Sequence, residues 1–77
     1  MKSIYADKYH QIGLKIAYYR KLRGLTQEQL AERLELSPAF IGHVEAPNIN
    51  KAVSLDTLFD VAAALDVPPY KFLLFDE

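Results

Sequence analysis

The 77-residue chain has no cysteine, which excludes a disulfide framework and a thiolate metal site. Its two histidines, His10 and His43, lie far apart in sequence, so no zinc ligand set is expected and no cofactor is implied. Long apolar runs are missing too. None approaches the roughly 18 residues of a membrane-spanning helix, and Lys2, Asp7, Lys8, Lys15 and Arg20 are out of place in a signal peptide. The expectation is a soluble, cytoplasmic protein with no membrane partner. Charge of one sign is also lacking: nine basic and ten acidic side chains leave a formal net charge of −1. Taken alone, that balance argues against nucleic acid, because nonspecific affinity for a polyanion comes from basic side chains displacing counterions. A chain this short holds one domain, residues 1–77, near the lower limit for a self-sufficient core.

Three glycines and four prolines fall where an all-helical chain needs punctuation. Tyr5, Tyr9, Ile12, Ile16 and Tyr19 recur at helical spacing and form the apolar face of a first helix, which Gly24 closes with a left-handed cap. Thr26 and Gln29 make a capping box for a short second helix carrying Leu30, Ala31 and Leu34. Ser37 suits the N-cap of a third helix, Pro38 its first position, and Ile41 and Val44 its inner face. Ala46 to Val53 has no helical period and reads as a loop. Ser54 caps a fourth helix with Leu55, Leu58, Val61, Ala62 and Leu65 inward, and Pro68-Pro69 ends it and starts a short fifth. Five helices and no strand are expected.

Two short helices joined only by Glu35-Leu36-Ser37 cannot lie antiparallel; a turn of that length makes them cross as a helix-turn-helix, spanning 26–46. Ala31 is small where the helices cross, and Leu30, Leu34, Leu36, Ile41 and Val44 point inward. An ordinary corner in a helical bundle shares this spacing.

The ordered residues Ile12-Gly13, Ile16, Arg20, Gly24-Leu25-Thr26-Gln27-Glu28-Gln29-Leu30-Ala31, Leu36-Ser37, Ile41, Val44-Glu45 and Ser54-Leu55-Asp56-Thr57-Leu58 through Leu65 resemble the Xre-type, phage-repressor-like helix-turn-helix regulators. The resemblance covers Ile12 to Leu73. It implies a compact five-helix, all-α domain that places its third helix in the DNA major groove, commonly as a homodimer on a palindromic operator. Two departures stand out. Glu35 occupies a turn position usually held by Gly, where a left-handed backbone costs a glutamate about 1 kcal/mol. Ala46-Pro47 replaces a basic residue and Gly, which removes one phosphate contact and leaves Asn48, Asn50 or Lys51 to replace it.

The resemblance further implies that Gln27 grips a phosphate with the free N–H groups of the second helix. Arg20 and Glu45 would form a structural ion pair. Ser37, Pro38, Ala39, Phe40, Gly42 and His43 are the positions turned toward DNA, with His43 the one polar reader and Gly42 permitting close approach. Phe40 is open between a thymine-methyl contact and a core residue. Phe59, Leu74 and Phe75 are apolar positions not obviously inside and point to a dimer interface, with the 1–8 arm near it; closing the monomer core is the other use for them.

The net charge also divides unevenly: residues 1–38 carry net +3 and residues 39–77 net −4. The basic share gathers at Lys15, Arg20, Lys21 and Arg23, near the helix-turn-helix. The reading is a sequence-specific regulator, a repressor, whose partner is double-stranded DNA. A helical module that binds another protein is the alternative, favoured by the sparse reading face. No nucleophile, base and carboxylate share a plausible site, so an enzyme is not expected.

Overall fold

The computed structural model describes residues 4–46 and 51–75 of the chain. Helix α1 runs over Ala6–Leu22, α2 over Gln27–Leu34, α3 over Pro38–Glu45 and α4 over Leu55–Leu65, and a 3₁₀ helix covers Pro69–Leu73. Among the described residues there is no strand. The expected fifth α-helix is therefore a single 3₁₀ segment. Pro68 and Pro69 bring no N–H, and the first bond that closes is Lys71 N–H to the Pro68 carbonyl at 3.1 Å.

Local chemistry explains where the other helices start. The Thr26 hydroxyl accepts from Gln29 N–H at 3.0 Å while the Gln29 side chain accepts from Thr26 N–H at 2.9 Å, a reciprocal capping box. Ser37 accepts from Phe40 N–H, and Ser54 from Thr57 N–H. The helix ends share one device as well. Gly24, Glu35 and Asp66 have positive φ, and the next residue's N–H reaches back five positions: Leu25 to Arg20, Leu36 to Ala31, Val67 to Ala62. Glu35, at φ 56°, thus adopts the left-handed turn that its family position implied.

A single cluster fills the centre, with Ile16, Leu30, Ile41, Leu58, Val61, Leu65 and Phe72 almost fully enclosed. Burying each such side chain contributes roughly 1.5–3 kcal/mol, more than local propensity supplies to helices only two turns long. Phe72 holds the 3₁₀ segment to α1, its ring 5.4 Å from that of Tyr19 in an edge arrangement.

Four apolar positions lie elsewhere than expected; one is Leu55, expected on the inner face of α4 but 59% exposed at the start of that helix. Tyr5, 54% exposed, precedes α1 rather than extending its inner face. Leu36 stands in the turn at 36% exposure, because the chain is there reversing away from the core. Phe75, expected at a dimer interface, is half-buried against the core, with the Lys8 and Lys15 ammonium groups 5.1 and 5.9 Å from its ring centre. Phe59 and Leu74 are exposed. No helix among the described residues is long and apolar enough to cross a membrane.

Candidate nucleic-acid interface

Helix α3 packs on both α1 and α2, and three backbone and side-chain devices fix its orientation. The first is Gly13 on α1. A β-carbon there would lie 3.1 Å from the Val44 carbonyl carbon and closer still to its oxygen, so the two helix backbones approach as near as a missing side chain allows.

The second is a bidentate ion pair across the same seam. Arg20 donates from Nε to one Glu45 oxygen at 2.8 Å and from Nη2 to the other at 2.9 Å, and its Nη1 donates to the Leu25 carbonyl at 2.7 Å. The two side chains are only 8% and 6% exposed. Parallel two-point contact fixes direction as well as distance, so the pair ties the end of α3 to α1 and to the chain just before α2.

The third is Gln27, whose Nε2 donates to Glu45 Oε1 at 2.9 Å. Its side-chain amide is directed inward, into the ion pair. The backbone N–H groups of Gln27 and Glu28, in the first turn with no helical carbonyl four residues back, stay at the open end of α2. Gly42 belongs to this arrangement too: a β-carbon there would meet Gln27 Oε1 at 3.5 Å, so its flank of α3 faces α2. Arg20, Thr26, Gln27, Glu28 and Pro38 line one shallow depression, which brings the starts of α2 and α3 to the same surface.

With α3 held in this way, Pro38, Ala39 and His43 are exposed, Phe40 and Gly42 are half-buried, and Ile41 and Val44 are inside. Ser37 is occupied as the N-cap. Phe40 packs against the core, and the Lys51 ammonium stands 5.3 Å over its ring. Asn48 and Asn50 lie outside the described residues.

The basic residues in and just after α1 are placed less simply than their sequence position suggested. Arg20 is consumed by Glu45, and Lys15 stands over Phe75. Arg23 donates to the Leu65 carbonyl at 2.7 Å and the Asp66 carbonyl at 3.1 Å, closing the C-terminus of α4 with a cation where the helix dipole favours one. From sequence, Gly13 is noted only as part of the family pattern and Arg23 only as one of the basic residues, and neither is assigned its role. Both act on partners more than thirty positions away, and only the oddity of a glycine inside a helical period marks the first.

Comparison with known proteins agrees with this geometry. The helix-turn-helix family model matches residues 16–72. An immunity repressor protein of Bacillus phage phi105 is 43% identical over 56 residues, covering 73% of this chain, and the chain spans only 38% of that relative's length. Among solved structures, a hypothetical transcription factor, NHTF from Neisseria, matches with a TM-score of 0.80 at 28% identity, over 88% of this chain and 74% of its own. SinR, a master regulator for biofilm formation in complex with DNA, matches with a TM-score of 0.75 at 32% identity, over 82% and 98%. From the family match, these relatives and the α2–turn–α3 geometry, the chain belongs to the Xre-type, phage-repressor-like family of helix-turn-helix DNA-binding transcription regulators.

Proposed function

We propose that the chain is a sequence-specific repressor that binds a palindromic DNA operator as a homodimer, with α3 in the major groove. The observation that carries this reading is the exposed Ala39 and His43 face on a helix whose remaining sides are fixed by Gly13, Arg20–Glu45 and Gln27. A groove-reading helix must be rigid to convert small differences in base chemistry into differences in affinity. In this reading His43 contacts a base edge, Ala39 and Pro38 offer apolar contact to thymine methyls, and the free N–H groups of Gln27 and Glu28 hold a phosphate. Lys51 contacts the backbone. The similarity to a phage immunity repressor supports repression, and that to SinR, solved on DNA, supports the partner.

Dimerisation is proposed on two grounds. Phe59 and Leu74 are large apolar side chains left about half exposed, at 49% and 51%, on α4 and just after the 3₁₀ helix. The second ground is charge: with a formal net charge of −1, Arg20 buried in its pair with Glu45 and Arg23 bonded to the end of α4, one copy attracts phosphate weakly, so useful affinity calls for two copies on one site.

Selection of bound sequences from random duplexes tests the proposal. A palindrome with half-site centres about 10 bp apart is the expected product. His43→Ala then relaxes preference at one base position in each half-site. Recovery of no enriched sequence, with no duplex binding at low salt, refutes the proposal and favours a protein partner for the same face.

A further inference from the structure

Successive residues of a helix are about 100° apart, so Gly42 and Phe40 fall about 80° to either side of the line midway between Ala39 and His43. The two flanks of the reading face are therefore defined. The Gly42 flank faces Gln27 and the start of α2. The Phe40 flank faces the segment before α4, where Lys51 places its ammonium 5.3 Å from the ring centre. Phe40 is itself half-buried against the core, so its ring is a fixed surface.

We infer that Phe40 is a positioning residue for DNA binding, which holds Lys51 on the flank of α3 opposite α2 so that the groove's two phosphate walls meet one contact each. This rests on the DNA-binding reading above and adds a role to it. An exposed lysine samples many rotamers, and one drawn to an aromatic face by the ring quadrupole has given up part of that freedom before DNA arrives. The ammonium has three N–H donors, and contact with the ring leaves the others available to a phosphate oxygen. A thymine-methyl contact by Phe40 is the competing use of the same side chain, and it predicts a different result.

The experiment is a double-mutant cycle on the unmodified full chain and its variants, read as dissociation constants for one selected duplex across a salt series. Lys51→Ala lowers the slope of log affinity against log salt by about one and weakens all duplexes alike. Phe40→Leu weakens binding by about two- to five-fold, Phe40→Tyr binds as the parent does, and Phe40→Leu in the Lys51→Ala background adds nothing. A readout that needs no variant accompanies it: ring current from Phe40 displaces the Lys51 ε-methylene proton resonances upfield in the free protein. Equal loss from Phe40→Leu with and without Lys51, or changed preference at a single base position, overturns the inference while leaving the DNA-binding reading intact. Unshifted Lys51 resonances overturn it as well. Absence of salt-dependent binding by the unmodified chain overturns both.

Discussion

Replacing Gly13 by alanine sets two effects of opposite sign against each other. Inside a helix, alanine is favoured over glycine by up to about 1 kcal/mol, because the glycine backbone has more freedom to lose on folding. In α1 the added methyl meets the Val44 carbonyl, whose carbon is 3.1 Å away, and lies 3.5 Å from Glu45 Cα. Both neighbours are backbone, so no rotamer change relieves the contact. Helix α3 must move away from α1, stretching the Arg20–Glu45 pair at the same seam. Overpacking of this kind costs about 1–3 kcal/mol. Because the clash is with fixed backbone, the upper part of that range applies and the net effect is a loss of roughly 1–2 kcal/mol; in a domain of this size each 1 kcal/mol lowers the melting temperature by about 4–8 °C. Thermal unfolding followed by circular dichroism measures it. A variant that melts at or above the parent temperature refutes the close approach of α1 and α3.

Two further perturbations test the frame around α3. Glu45→Ala removes the acceptor for two Arg20 bonds and one from Gln27 and leaves a buried guanidinium without its partner, so denaturant unfolding shows a loss of about 3–5 kcal/mol; a loss under about 1 kcal/mol contradicts the pair's structural role. Glu35→Gly relieves a left-handed backbone at φ 56° and raises the urea midpoint by the equivalent of up to about 1 kcal/mol. A lowered midpoint is inconsistent with strain at that turn.

The helix starts were legible in the sequence because capping is local: Thr26, Ser37 and Ser54 bond to N–H groups three residues on. The inner faces of α2 and α3, and that of α4 from Leu58 onward, were legible from spacing for the same reason. Periodicity does not say how far along an element burial extends, so spacing puts Tyr5, Leu36 and Leu55 inside although they lie at helix starts and in a turn. Phe75 posed the opposite problem, since only the positions of α1 and the 3₁₀ segment decide whether a terminal aromatic finds the core. Within the candidate site, residue type singles out His43 and Lys51 but says nothing of their surroundings. That Gln27 turns its amide to Glu45, that Arg23 closes α4 and that Lys51 stands over Phe40 all depend on pairs distant in sequence, for which a single chain carries no local signal.

The most direct test of α3 as the reading helix is amide chemical-shift mapping of the chain titrated with a selected duplex. The expected perturbations concentrate at Gln27 and Glu28, from Pro38's neighbours through His43, and at Lys51. Amides of α3 that stay unshifted while the duplex binds would contradict the placement of that helix in the groove.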